Sequence, residues 1–204
     1  MTGKKADAKW TVSLEEDELL EPEERQLRLE PYAHAGILCA DDPNNTDLSR
    51  DLWAQWRSVA DDHDRPVVLR LDFTGISFLQ PQTVQDCLVY FMGGVLVGFR
   101  PLCVVFDGLD PKNVIRTLDS MLSSAELVAI GREAGSSTWE LIGNDEMVFK
   151  LKADWEELRD AGQWVAGAQF ERAKKMSRTT LQNMYVRGIA LKDVGDRPFY
   201  RSPV

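Results

Sequence analysis

The chain has 204 residues, 44% of them hydrophobic and 28% charged, with a formal net charge of −9. That is room for one large domain or two small ones, with enough apolar content for a packed core. No apolar run approaches the roughly 18 residues needed to cross a bilayer, and the first residues lack the apolar segment of a secretory leader, so no membrane role is expected. Cys39, Cys87 and Cys103 lie far apart with no CxxC spacing, which predicts buried thiols in a reducing cytoplasm.

In chain order, residues 1–25 read as an acidic arm. Glu15, Glu16, Asp17, Glu18, Glu21, Glu23 and Glu24 crowd one stretch that Pro22 interrupts. Like charges and little apolar surface predict a solvated tail. An α/β alternation follows over 26–143. Leu27, Leu29 and Tyr32 alternate with polar residues as an opening strand, and Asp41 to Asn45 form a turn. Asp47 is the expected N-cap of a helix that buries Leu48, Leu52, Trp56 and Val59, with Trp53 alongside. Two near-continuous apolar runs, Val67–Phe73 and Leu102–Phe106, read as parallel strands covered on both faces. Between them Val84, Cys87, Leu88, Phe91, Met92, Val95 and Leu96 mark one face of a helix, so the three segments form a βαβ unit. Asp110-Pro111 signals the start of a third helix with Val114, Ile115, Leu118, Met121, Leu122 and Ala125 inward. Gly135-Ser136-Ser137 is a turn, and Thr138–Ile142 a last strand.

The segment from Leu71-Asp72-Phe73-Thr74-Gly75-Ile76-Ser77-Phe78-Leu79 into Gln80-Pro81-Gln82-Thr83-Val84 resembles the strand-to-helix junction of STAS domains, the anti-sigma-factor antagonist fold. It is closer still to STAS-like families of unknown function. The resemblance covers about residues 65–130. It implies a four- or five-stranded sheet packed by helices, and a protein-binding or signal-binding role. In that family the helix start carries an Asp-Ser pair whose serine is phosphorylated. Here Gln80, Pro81 and Gln82 stand there, so that switch is not carried over, and Thr83 is read as a helix N-cap.

Catalytic patterns are absent. GREAGSST at 131–138 lacks the GK[ST] ending of a phosphate loop and reads as a turn. Gly93-Gly94 and Gly98 end or loosen a helix. His34 and His63 are the only histidines; Asp61-Asp62-His63-Asp64 has the residue types for a divalent ion but reads as a solvated loop. No Cys/His spacing suits zinc, and no serine elbow suits nucleophilic catalysis. Asp72 and Asp107 stand at strand ends, where α/β sheets bind ligands, yet each also suits the cap of a turn. Neither an enzyme nor a cofactor is expected.

The charge is uneven. From Glu171 to Val204 there are eight Lys/Arg and three Asp/Glu, a net +5, against 16 and 30 in the rest, a net −14. A basic segment on an acidic protein marks a docking place for a polyanion or an acidic partner. Within residues 144–204, Trp155, Leu158 and Trp164 suggest a first helix and its connection, and Ala168, Phe170, Ala173 and Met176 a second, ending near Lys174 and Lys175. Ser177 is the expected N-cap of a third, with Leu181, Met184, Tyr185 and Ile189 inward. Arg178, Thr179, Thr180, Gln182, Asn183 and Arg187 fall at its start or on its outer face. Leu191–Arg201 reads as a hairpin carrying Arg197 and Arg201.

Ser177-Arg178-Thr179-Thr180-Leu181 is similar to the opening of recognition helices in bacterial winged helix-turn-helix domains, although Lys175-Met176 replaces the usual glycine of the preceding turn. The resemblance implies double-stranded DNA as partner, with Arg reading guanine and Asn or Gln reading adenine. A homodimer would set two half-sites about one DNA turn apart. The expected protein is thus a STAS-like α/β domain followed by a small winged-helix-like domain, acting as a cytoplasmic DNA-binding regulator. The competing expectation is an adaptor of the anti-sigma-antagonist type, whose basic segment docks on an acidic protein or on this chain's own acidic part. A sharper reading of the acidic arm is that it folds back on the basic segment and competes with DNA.

Overall fold

The computed structural model describes residues 19–39, 44–61, 65–97, 102–194 and 198–204. At its centre five strands lie in the order β1 (Glu23–Arg28), β3 (Val67–Asp72), β5 (Leu102–Leu109), β6 (Val128–Glu133) and β7 (Trp139–Gly143). The first four run parallel; β7 is antiparallel to β6. The expected βαβ unit is present, with β3 and β5 in register from Val67↔Leu102 to Asp72↔Asp107. Two short strands, β2 (Ile37–Leu38) and β4 (Phe78–Leu79), pair beside it.

Alternate residues of each strand point to opposite faces. Leu69, Leu71, Val104 and Phe106 pack with Leu48 and Leu52 of helix α1 (Asn44–Asp61), and with Leu118 and Leu122 of α4 (Val114–Ser124). The same cluster takes Val84, Leu88, Phe91 and Val95 from a continuous helical run. That run starts as α2 (Pro81–Thr83), widens into a π-helical stretch (Val84–Val89) and ends as α3 (Tyr90–Val97). Gly94 is needed there because a Cβ would stand 2.4 Å from the Trp53 ring.

The opposite face is covered by residues 144–204. These form α5 (Asp145–Ala161), β8 (Val165–Ala166), α6 (Gly167–Lys174), α7 (Thr180–Val186), β9 (Leu191–Val194) and β10 (Pro198–Arg201). The three strands make an antiparallel sheet in the order β8-β10-β9. Helix α5 is well specified: the Asn144 side chain accepts from Met147 N at 3.1 Å, acids fill the first turn, and Gly162 closes it at φ 64. One buried cluster joins the sheet residues Val68, Cys103, Val105, Val128, Ile130 and Leu141 to Trp155, Leu158, Phe170, Leu181, Met184, Leu191 and Tyr200. The expected boundary at 143/144 therefore separates two topologies and not two cores.

Several sequence expectations need correction. The expected arm ended at 25, but β1 starts at Glu23: charges there protect an edge strand, as edge strands require. The opening strand stops at Arg28, and Glu30–Tyr32 form a 3-10 turn. Helix α1 starts at Asn44, so Asp47 lies in its first turn and is not the N-cap. Asp110 accepts from Lys112 N and Asn113 N at 3.0 and 2.9 Å, capping a turn, and α4 begins three residues beyond Pro111. Gln80, not Thr83, is the N-cap of α2, with Pro81 at the first helical position. Thr83 is buried and its Oγ1 has no partner among the described residues. Gly131 to Glu133 belong to β6, not to a turn. The Asp62-His63-Asp64 loop, Gly98, residues 1–18 of the expected arm and Asp41–Pro43 of the expected turn lie outside the described residues.

Trp155 is fully buried under the sheet. Trp155→Ala is expected to cost about 3–5 kcal/mol in urea unfolding. Because both faces share one sheet, tryptophan fluorescence and far-ultraviolet dichroism of the full chain should report one coincident transition. Two separated transitions would mean that residues 144–204 are an independent unit.

Candidate nucleic-acid interface

Helix α6 ends at Lys174, and its C-cap residue Lys175 takes the left-handed conformation, φ 59 and ψ 26. Met176 N closes the turn on Glu171 O at 2.8 Å. This is the geometry that favours glycine, and a lysine holds it at a cost of roughly 1–2 kcal/mol. Thr179 is also left-handed, at φ 74.

The expected cap at Ser177 is not formed. Helix α7 starts at Thr180, with Thr179 in the N-cap position and no side-chain cap bond. The Ser177 carbonyl accepts from Thr180 N at 3.2 Å and from Thr180 Oγ1 at 2.9 Å. The orphan donor Leu181 N instead goes to Glu171 Oε1 at 3.0 Å. A carboxylate from the preceding helix thus replaces the hydroxyl, and being charged it makes the stronger bond.

The eleven basic and polar residues expected to meet DNA do not form one surface. Lys174, Lys175, Ser177, Arg178, Thr179 and Asn183 are exposed. Thr180 is buried. Gln182 lies half-buried, accepting from Lys192 Nζ at 2.7 Å and Tyr200 Oη at 3.0 Å, which pins α7 to the hairpin. Arg187 is half-buried and donates to Met147 Sδ. Lys174 pairs with Glu157 of α5, and Arg201 with Glu21 ahead of β1. Arg197 lies outside the described residues. Two outward residues escaped the sequence reading. Arg172 is exposed one turn before Lys175, and Val186 is exposed one turn beyond Gln182 and Asn183. The 3.6-residue period of α6 could have found Arg172. Among the described residues no ion pair holds Arg172, Lys175 or Arg178.

Carboxylates lie close behind this cationic turn. Burial, then Glu157 and Glu171, push the Asp154 carboxyl above its ordinary range. Burial, then Glu171 and Tyr185, do the same to the Tyr200 phenol.

A second cluster stands at the carboxyl ends of the strands. Asp72 accepts from Thr74 N at 2.9 Å and Gln26 Nε2 at 2.8 Å, so its turn-capping role holds. Asp107 does more. It takes both Arg132 Nε and Nη2, at 2.8 and 2.7 Å, and Arg70 Nη1 at 3.3 Å. Both guanidiniums lie over the Trp139 ring, 4.6 and 5.5 Å from its centroid. Burial pushes Asp107 up, but the Arg132 hydrogen bonds and the charges of Arg132 and Arg70 outweigh it and hold the carboxyl below its ordinary value. The acceptors and donors satisfy one another, as in a strand-end brace.

Among the described residues no three His, Cys, Asp or Glu are placed to hold a metal ion, and Cys39, Cys87 and Cys103 form no disulfide. No helix of the described residues is long and apolar enough to cross a membrane. Compared with family models, curated proteins and solved structures, the chain gives no match.

The brace gives a pH prediction. A carboxyl whose folded pKa is depressed adds stability above its unfolded value, here the ordinary 3.8, and loses it as pH falls through the folded value. Asp107→Asn should cost about 2 kcal/mol at neutral pH, the worth of hydrogen bonds to charged groups. Urea unfolding should show that gap closing as the pH drops below 3.8. A gap that persists undiminished in acid would refute the charge-based account.

Proposed function

We propose that this protein is a DNA-binding regulator, in which α7 and the α6–α7 turn form a winged-helix-type reading head on a STAS-like sheet. The observation that carries this reading is the order of the last 61 residues, from Asn144 to Val204: helix, short strand, two helices, then a hairpin whose returning strand pairs with the first. In a helix-turn-helix the second of the paired helices is the one that lies in the major groove, and α7 holds that place in the order.

The chemistry agrees in part of the expected set. Leu181 and Met184 anchor α7 while Arg178, Thr179, Asn183 and Val186 face solvent. Seven residues at 1.5 Å rise make a helix about 10 Å long, enough to lay its start in a groove about 12 Å wide. Arg178 is suited to guanine, Asn183 to adenine and Val186 to a thymine methyl. Arg172, Lys174 and Lys175 are suited to flanking phosphates. Gln182 orients the helix through Lys192 and Tyr200.

A second reading, a protein-partner role for the sheet module, is favoured by α3. Tyr90 and Val97, one helical repeat apart, are 69% and 78% exposed. Apolar side chains held in water on one helix face suit a protein contact. This role is compatible with DNA binding by the opposite layer.

Fluorescence anisotropy with labelled duplex tests the proposal. With Arg172, Lys174, Lys175 and Arg178 on phosphate or base, the slope of log K against log salt should be about −3 to −4. On a sequence selected from a random pool, Arg178→Ala should cost about 1–3 kcal/mol and relax preference at one position. Lys175→Ala should weaken all sequences alike and make the slope shallower by about 1. No duplex binding at low salt, or identical effects of the two substitutions on every sequence, would defeat the base-reading role.

A further inference from the structure

We infer that β1 is a docking edge for a second copy of this chain, the two β1 strands pairing antiparallel about a two-fold axis at Gln26. Strand β1 closes one edge of the five-stranded sheet and, among the described residues, pairs only with β3. Glu23 N donates to Pro66 O at 2.8 Å and Leu29 N to Asp72 O at 2.9 Å, so the odd-numbered residues turn their backbone groups toward β3. Backbone groups alternate along a parallel pair, which leaves the N–H and C=O of Glu24, Gln26 and Arg28 directed outward. An open edge of this kind can take another strand. The side chains of the same three residues are exposed.

Charges on β1 bar most strands, but their order admits one. A two-fold axis perpendicular to the sheet keeps every residue on its own face, so outward residues must meet outward residues. With the axis at Gln26, Glu24 faces Arg28 of the second copy at both ends, and Gln26 faces Gln26. The other registers in phase are worse. An axis at Glu24 or at Arg28 sets like charges opposite each other, and one at Leu27 sets Glu24 against Glu30. An axis at Arg25 spends an outward position on Pro22, which has no N–H to give. The two charges are available: Glu24 reaches Arg70 Nη2 at 3.4 Å, longer than a good charged bond, and no ion pair holds Arg28 among the described residues. Gln26 is oriented by its own sheet, donating to Asp72 at 2.8 Å. Three facing pairs that exchange two bonds each give about six backbone hydrogen bonds and join two sheets into one. Such a strand pair buries less than about 1,200 Å², the class of weak contacts, so the dimer belongs to concentrations on the order of 10–100 µM. The pairing stands apart from the DNA reading, since it uses no residue of α7.

Sedimentation velocity of the full chain, from about 5 to about 500 µM, should show a monomer–dimer equilibrium that weakens as salt rises. E24R and R28E each set like charges opposite one another at both ends of the pairing, and each should weaken self-association at least about 10-fold. Mixed in equal amounts the two variants should recover the dimer, because two arginines of one copy then face two glutamates of the other. Recovery also shows that both variants are folded. Q26C should cross-link to itself under mild oxidation, since residues facing in a hydrogen-bonded pair lie about 5.5 Å apart at Cα. E24C should not, its two copies lying roughly 13 Å apart. A chain that stays monomeric at the highest concentration, a dimer that neither charge reversal weakens, or cross-linking of E24C in preference to Q26C would overturn the inference.

Discussion

Everything in this molecule depends on covering the second face of a parallel sheet. Val68, Cys103, Val105, Val128 and Ile130 point away from α1, α3 and α4. Left to water they would expose an apolar floor that parallel sheets do not tolerate. Residues 144–204 close it with Trp155, Leu158, Phe170, Leu181, Met184 and Leu191. A segment with the topology of a small separate domain is thereby used as a lid, and its outer surface is decided by its inner one. Because Leu181 and Met184 must point at the sheet, Arg178, Thr179 and Asn183 must point at solvent. The sheet edges are managed in the same economy. On β7 the Arg159 guanidinium donates to Trp139 O at 3.1 Å, and Asp119 accepts from Gly143 N at 2.8 Å. Side chains thus occupy edge groups that another strand would otherwise pair with.

Electrostatics then divides the basic residues into two groups. Lys174 and Arg201 have carboxylate partners, and Glu171 spends its charge on the backbone of α7. Arg172, Lys175 and Arg178 remain outward. The partnered cations are not lost to a ligand, because exposed pairs contribute about 0–1 kcal/mol and a dense polyanion can outcompete them. What the carboxylates do set is order. They fix where α7 begins and join the hairpin to Glu21, ahead of β1, so the outward cations follow a helix start that is pinned by Glu171. Net charge alone said that a polyanion could dock; the pairing says which side chains would meet it first.

Elements with strong local patterns were legible in the sequence. The run Val67–Leu71 and the stripe Val84–Val95 each declare burial through spacing alone, and both lie in the cores. The hairpin and the inward residues of α7 were legible for the same reason. Misses came where a distant group decides. Strand β6 is six residues with Gly131 in its middle, a poor strand by composition. Glycine is needed because a Cβ there would stand 3.0 Å from Leu109 and 3.1 Å from Ile142, residues far away in the chain. Ser177 had the right chemistry for a cap, yet Glu171, ten positions from Leu181, took the donor. Arg201 and Gln182 looked outward by alternation and period. Their partners, Glu21 and Lys192 with Tyr200, come from other elements and could not be placed from spacing.

The same fusion ties α7 to the rest of the sheet. Just beyond it, Gly188 adopts φ 72, and a Cβ there would lie 2.9 Å from Leu96 Cδ2 of α3. Two positions later Ala190 O accepts from Cys103 Sγ at 3.4 Å, within β5. Glycine is thus demanded at 188 both by its conformation and by the approach of α3, the helix that also carries exposed Tyr90 and Val97. Packed interfaces of this kind transmit displacement because side chains at crystal-like density have nowhere to yield. A body that shifts α3 against the sheet must either move the turn after α7 or open the contact at Gly188. Among the described residues, the turn that ends α7 and the helix that carries Tyr90 and Val97 therefore meet directly at Gly188.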